Sequence, residues 1–592
     1  MSILSLQELV KKLASEGNLH VITKPVSPFL EMTEIADRIY HHQENSWPIL
    51  FQNTGTVFPV FMNIFARKEL VNSYLSLQNV LPYLHHLPTL MKLKFNKTTF
   101  SILKRLLKTK PHVVKRAPCQ AKLDRHLTFD DLPILTCWPK DAGRFITLPL
   151  VHTIDPETGE QNMGMYRMQI FDSRTAGLHW HVNKGGAIHF EKWKKLKKRM
   201  PVTITLGGPP ALIYAATAPL PHGISEYLLT GFLLNKRLTL VKSITNSILI
   251  PAESEIVLEG YVDPEEPLRL EGPFGDHTGF YSVPDYYPVF HLELITYRKN
   301  AIYPATVVGI PPKEDEQLGK ATTKLFTPLI KHMILPELHD LYLPTEGGFH
   351  NLAIVSINNS YQGAAEKAVH AIWSLGMLSL TKIVIIVENS TNIQNTESIL
   401  NAIDEHVSLP SDLIFSRGPL DVLDHAASSF AYGGKVAIDA TFTYKQKRSS
   451  NYEQTKFPFS HEWASKKIAI IYHENIEEVQ HWLFENQEAV QNKIIVAMDK
   501  PWQHMPKHLQ LWFALSAVDP LRDILLHSSA PFVFVNASSK NKKASPHHSP
   551  WPDMVVMKKD IIQKIDESWH DLGFSFFEPS PSQIFLENFF NE

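Results

Sequence analysis

The segment Glu271-Gly-Pro-Phe-Gly-Asp-His-Thr-Gly-Phe-Tyr281 sets two carboxylates, Glu271 and Asp276, five positions apart. Gly272, Pro273 and Gly275 bar a helix interior, so the segment reads as a loop that can turn both acids into one pocket. Two close carboxylates drive their pKa values apart, leaving one protonated near neutral pH and able to act as an acid. His277 and Thr278 follow as hydrogen-bond donors. The plainer reading is a solvated Gly/Pro turn, and the rest of the chain decides between the two.

Three further stretches carry unusual residues. Asn162-Met-Gly-Met-Tyr-Arg167 places Gly164 in an apolar strand, where a ligand or another backbone can come close. Arg167 ends that hexapeptide, and a buried guanidinium calls for an anion, a carboxylate being its bidentate match. Gly177-Leu-His-Trp-His-Val-Asn-Lys-Gly-Gly186 offers His179, His181, Trp180, Lys184 and the amides of Gly185 and Gly186. Lys184 and the glycine pair can cradle a phosphate, and Trp180 can cover a flat ring. Ile224-Ser-Glu226-Tyr puts one carboxylate at a helix start, either as a cap or as a metal ligand with Asn162 as oxygen partner. Such an oxygen set suits Mn²⁺ or Mg²⁺ rather than Zn²⁺.

These residues need positioning elements. The 592-residue chain, 44% apolar, is long enough for several domains with sizeable cores. Its net charge of −2 gives no sign of a nucleic-acid partner. Cys119 and Cys137 form no CxxC pair, which argues against a zinc site or a disulfide scaffold and fits a reducing, cytoplasmic setting. No apolar run reaches the ~18 residues of a spanning helix. Residues 1–120 read as an α/β domain. Its basic segment 90–116 is either a solvated surface helix or an interfacial one touching anionic lipid, which makes peripheral membrane contact an expectation. Residues 121–325 turn β-rich, with runs such as Phe145–His152, Met165–Asp172, Ala211–Ala216 and Glu255–Val262 that suggest a barrel or sandwich. Residues 326–540 alternate strand and helix as parallel βαβ units, and the pattern recurs: Lys382–Glu388 resembles Lys493–Asp499. A helix is expected over Leu509–Leu526. Residues 541–592 read as a linker and a last helix, whose Pro/Ser/Phe tail suits packing on a neighbouring subunit.

Asn162–Arg167, His179–Ala187, Ser225–Tyr227 and Glu271–Tyr281, in that order and spacing, resemble the UbiD family of reversible decarboxylases, which use prenylated FMN. Leu135–Pro139, Ile250–Gly260 and Gly433–Thr441 support the resemblance, which covers roughly residues 20–445. It implies an α/β multidomain fold with a central flavin-binding split β-barrel. Arg167, Glu271 and Asp276 match the family's catalytic Arg and two acids, Asp276 as proton donor and Glu271 as its partner. Met165, Tyr166, Arg167, His179, Trp180, His181, Lys184 and Gly185 match the flavin-binding segments, and Lys435 is a further cofactor candidate. Asn162 and Glu226 match ligands of a Mn²⁺ or other divalent ion on the flavin phosphate, with K⁺ as an additional candidate ion. Many relatives have His where this chain has Asn183, so the third ligand is either Asn183 or His181. The implied activity is decarboxylation of an aromatic or unsaturated acid, the cofactor coming from a flavin prenyltransferase, in a homodimer or homohexamer. The added αβ unit near 460–540 resembles the menaquinone (futalosine) branch, with a naphthoate-type substrate that carries, or lacks, a prenyl chain. The alternatives are a 4-hydroxybenzoate-type substrate of ubiquinone synthesis and a flavin oxidoreductase, which has no need of the Arg–acid set.

Overall fold

The structure is a computed structural model and describes residues 3–590 apart from 43, 86–103, 108, 182–183, 222, 446–453, 527–531 and 541–550. The chain separates into two compact units, Met1–Ala321 with Met554–Leu586, and Thr322–Asp553 with Glu587–Glu592.

A nine-stranded sheet dominates the first unit. Its order runs Phe145–Ile146, Met168–Ile170, Thr175–Leu178, Val289–Tyr297, Ile256–Val262, Met200–Leu206, Pro149–Ile154, Gln161–Met165, with Lys122–Asp124 also on Val289–Tyr297. Every neighbouring pair is antiparallel. Met165 ends the strand at one edge, and Met168 begins a strand next to the opposite edge. Only Tyr166 and Arg167 lie between, and three Cα steps span at most about 11 Å. The edges must therefore meet, and the sheet curls into a barrel split along that seam. Ile146 and Pro149 repeat the crossing. Arg167 thus lies in the split because of where its strands end.

A four-stranded sheet of His20–Pro25, Ile49–Asn53, Val60–Met62 and Tyr303–Pro304 joins the N-terminal residues to the end of the barrel segment. Both sheets feed one core that includes Ile22, Ile35, Met168, Ile204, Phe290 and Trp569. The helix Lys559–Ser568 packs here within its own unit, against the helix Glu31–His41. Buried Arg38 ties it down, with Nη1 donating to Asp566 Oδ1 at 2.5 Å and Nη2 to the Ile562 carbonyl at 3.1 Å.

Ala211–Ala216, expected as a strand, belongs to the helix Pro210–Ala215. A short fully buried apolar run has no period to tell helix from strand, and Pro210 suits a first helical turn. Of the basic segment 90–116, residues 90–103 and 108 lie outside the described residues. Arg105 is buried, donating to the carbonyls of Phe232 and Leu233 at the end of the helix Glu226–Leu234. No described helix is long and apolar enough to cross a membrane.

The second unit holds two five-stranded sheets of the same topology. One is ordered Leu338–Tyr342, Leu352–Ile357, Ile383–Glu388, Tyr432–Asp439, Leu413–Pro419; the other Ser460–Trp463, Ile468–His473, Ile494–Asp499, Val533–Asn536, Ile524–Leu526. In each, the inner three strands are parallel and both edge strands antiparallel. The expected helix Leu509–Leu526 breaks at Val518, where Asp519-Pro520 starts a short helix and Ile524–Leu526 becomes an edge strand.

Candidate active site

Arg167 leaves the barrel split and meets both acids. Its Nε donates to Glu271 Oε1 at 2.8 Å and its Nη2 to Glu271 Oε2 at 2.9 Å, the parallel fork that only guanidinium offers a carboxylate. Nη1 pairs with Asp276 Oδ2, and Nη2 also donates to Ser282 Oγ at 3.0 Å. The Phe274 ring lies 4.8 Å from the guanidinium carbon. All three charged side chains are nearly sealed from solvent, Glu271 completely.

The loop bearing the acids is a hairpin. Asp276 N–H donates to the Phe280 carbonyl, Gly279 N–H returns to the Asp276 carbonyl, and Ser282 N–H reaches Phe274. Gly279 closes the turn at φ +86°, in the left-handed region. Asp141 holds the loop from one side, its Oδ1 accepting from Gly275 N–H at 2.8 Å and its Oδ2 from the amides of Cys137 and Trp138. Gln169 Oε1 accepts from Gly272 N–H at 2.7 Å. Burial pushes the Asp141 carboxyl up to about 7.

Electrostatics correct the expectation of a mutually coupled acid pair. Burial works to raise the pKa of Glu271, but Arg167 and the His179 hydrogen bond outweigh it and hold it at about 2. Asp276 is likewise buried yet kept far below the ordinary carboxylate range by Arg167, with His277 donating through both N–H (2.7 Å) and Nδ1 (2.9 Å). A guanidinium stands between the acids, so each sees a cation rather than its partner. Both are ionised in this arrangement.

His179 Nδ1 donates to Glu271 Oε2 at 3.1 Å, which leaves its Nε2 to accept from His181 Nε2 at 2.7 Å. Burial, then Arg167, keeps His179 below its usual pKa and therefore neutral. Tyr287, opposite this pair on the strand Asp285–Tyr287, places its ring 4.4 Å from His179.

Beside the triad, the helix Gly185–Leu196 begins at Lys184. The glycines there leave room that a Cβ would fill: at Gly185 it would run into the Asn162 amide, and at Gly186 it would sit 2.7 Å from Trp180 Nε1. Gly164 makes way for the ring of Tyr166 rather than for a ligand. Ser225 rather than Glu226 caps the helix, its Oγ accepting from Tyr227 N–H at 3.2 Å; Glu226 Oε2 accepts from Met163 N–H at 3.2 Å, beside Asn162, and burial lifts its pKa to about 7. Asn162 Nδ2 and Trp180 Nε1 are buried without hydrogen-bond partners among the described residues. Orphaned N–H donors around a glycine-lined helix start fit an anion-bearing group. Among the described residues no three His, Cys, Asp or Glu side chains converge on a metal, and Asn183 lies outside them.

Met165, Tyr166, Arg167, His179, Trp180, His181, Lys184, Gly185, Asn162 and Glu226 all fall in the first unit. Lys435 lies in the second, buried, its Nζ donating to the carbonyls of Ser379 (2.7 Å) and Thr381 (2.8 Å), and burial brings it down to about 8. Sequence reasoning missed Ser282, Phe274, Asp141, Gln169 and Tyr287. The first two flank or lie within the acid motif, and Asp141 follows the Leu135–Pro139 stretch; Tyr287 gave no signal.

The chain matches the three models of one family: the 3-octaprenyl-4-hydroxybenzoate carboxy-lyase N-terminal domain over residues 10–87, its Rift-related domain over 112–311 and its C-terminal domain over 316–440. It belongs to the UbiD family of carboxy-lyases. An uncharacterized protein of Archaeoglobus fulgidus is 45% identical over 464 residues, which is 77% of this chain and 94% of that one. Among solved structures, the vanillic acid decarboxylase of Sedimentibacter hydroxybenzoicus in closed form aligns with TM-score 0.67 at 24% identity, over 82% of this chain and 99% of its own. An evolved dimeric form of the UbiD-class enzyme HmfF from Pelotomaculum thermopropionicum, in complex with prFMN, aligns at 0.62 and 22%, over 76% and 97%.

Proposed function

We propose that the protein decarboxylates an aromatic or α,β-unsaturated acid with prenylated FMN, using Arg167, Glu271 and Asp276. The observation that carries this reading is the sealed Arg167 fork on two acids in the barrel split, beside the glycine-lined start of the helix Gly185–Leu196. The backbone at Lys184–Gly185, with Met165, Tyr166, His179, Trp180 and His181, would hold the flavin. Asn162, Glu226 and Asn183 or His181 would hold Mn²⁺ at its phosphate. Bound prenylated FMN would supply the electron sink without which CO₂ cannot leave an sp² carbon.

The chain's own task is to bind a carboxylate and then deliver a proton. Asp276 is ionised while Arg167 is paired with it, so it cannot donate in the resting arrangement. A substrate carboxylate competing for the guanidinium Nη1 weakens the largest of the interactions that keep Asp276 charged and sets a like charge beside it. Burial and that added charge then favour the neutral form against the His277 bonds, and Asp276 takes up a proton from solvent. Once CO₂ has gone, the Asp276 carboxyl protonates the vacated carbon. Glu271, held by the other edge of Arg167 and by His179, stays ionised and keeps the guanidinium oriented.

The added αβ unit beyond the family's C-terminal model supports a naphthoate-type substrate of menaquinone synthesis over a 4-hydroxybenzoate type. The chain is co-expressed with a flavin prenyltransferase, the released flavin is weighed, and CO₂ release is followed on both acid types. Prenylated FMN and turnover are expected, with Asp276→Asn keeping the flavin and losing about 10²–10⁴-fold in rate. Plain FMN with no turnover, or full turnover by Asp276→Asn, refutes the reading.

A further inference from the structure

The acid hairpin has a second wall, made by the far C-terminus. Met554 forms an antiparallel bridge with Phe280, and Val555 N–H donates to the Gly279 carbonyl at 2.9 Å. A Cβ on Gly275 would meet the Val555 side chain at 3.0 Å. These contacts fall on the residues that define the turn: Gly279 closes it, and the Phe280 carbonyl takes the Asp276 N–H. Asp141 grips the hairpin at Gly275, and Met554–Val555 grips it at Gly279–Phe280.

The strap is itself anchored. Val555 and Met557 are buried in the core of the first unit, and Met557 N–H donates to Ser582 Oγ at 2.9 Å. The following helix is pinned by the Arg38 bonds to Asp566 and Ile562. The strap and this helix lie beyond residue 440, where the family's C-terminal model ends.

We infer that Met554 and Val555 are positioning residues for Asp276: the strap fixes the turn, and through the Phe280 carbonyl it fixes where the Asp276 carboxyl stands against Arg167 and a substrate. The inference rests on the role proposed above for Asp276. Its mechanical part, that strap and turn move as one, stands apart from that role.

Val555→Pro in the full, flavin-loaded chain deletes the N–H given to Gly279, and Val555→Ile keeps it. Hydrogen exchange of the Asp276 and Gly279 amides should quicken about tenfold or more in the proline variant. Its kcat should fall about tenfold or more with KM changed less than about twofold, since small misplacement of a reacting group costs rate before binding. Val555→Ile should match the wild type in both. Wild-type exchange and wild-type kcat in Val555→Pro would overturn the inference. Should that variant fail to fold, the wild type decides: Val555 and Asp276 amides should show protection factors within about threefold of one another, as one opening unit. A Val555 amide more than about tenfold less protected than Asp276 overturns the strap. A wild type that turns over no acid sinks the proposed activity instead, while the exchange result still judges the strap.

Discussion

Glu271→Gln tests the buried ion network directly. The substitution keeps shape and removes the charge that takes two Arg167 bonds and one from His179. The fall of the Glu271 pKa from 4.5 to about 2 corresponds to about 3 kcal/mol, in line with the ~3–5 kcal/mol lost when one partner of a buried pair is removed. Glu271 is depressed, so its contribution is complete above the unfolded pKa of 4.5 and drains away as pH falls toward about 2. The difference between wild type and variant should be about 3 kcal/mol at pH 7 and shrink by about 1.4 kcal/mol per pH unit below 4.5. With two compact units a single unfolding transition is unsafe, so native-state hydrogen exchange of the barrel strands is the assay. Decarboxylation should fail as well, because Arg167 is then left with Asp276 as its only carboxylate partner in this network. A difference under about 1 kcal/mol at pH 7, or one that does not change with pH, would show that the network does not work as derived.

Glu226→Gln should lower Mn²⁺ content and flavin occupancy about tenfold or more, since the ligand loses its charge. Because the Glu226 carboxyl titrates near 7 without metal, wild-type Mn²⁺ affinity should drop by up to about tenfold per pH unit below that point, a slope the variant lacks; metal titration from pH 6 to 8 reads both. Asp519→Ala leaves the buried amide of Gly434 and the amide of Ser428 without their acceptor and uncaps Pro520–Asp523. It should loosen the second unit by about 3 kcal/mol, seen as faster exchange in both its sheets with the barrel unchanged; unaltered exchange there would refute it.

The site was legible where residue type alone dictates partners. A buried Arg seeks a carboxylate, and Arg167 meets both acids that the Gly/Pro loop was expected to turn inward. What the sequence left open was the order of charges. Glu271 and Asp276 are spaced as a coupled pair, but a residue more than a hundred positions away comes between them and reverses the expected protonation. Gly164 was read correctly as a place of close approach and wrongly as to what approaches, since the occupant is Tyr166, two residues on. The barrel could be read from strand spacing, whereas its closure rests on which strands are neighbours, and Ala211–Ala216 had no period to betray a helix. Asp141 and the Val555 strap lie outside the acid motif and act through backbone amides, which any residue supplies and no motif records.

The recurrence of Lys382–Glu388 in Lys493–Asp499 has a structural meaning. Strand register equates Ile383 with Ile494, Ile385 with Val496, Ile438 with Val535 and Leu413 with Ile524. All eight gather in one apolar cluster, so the two sheets meet through equivalent faces. Contact between equivalent patches is the relation a two-fold interface makes between subunits. The second sheet therefore covers the first as a partner copy would, inside one chain. An apolar sheet face must be covered by something, and here the added length does so. The chain then returns at Met554 to the first unit. Its extra length thus adds a sheet far along the sequence from the acids, whereas the few residues after it reach the turn on which Asp276 stands.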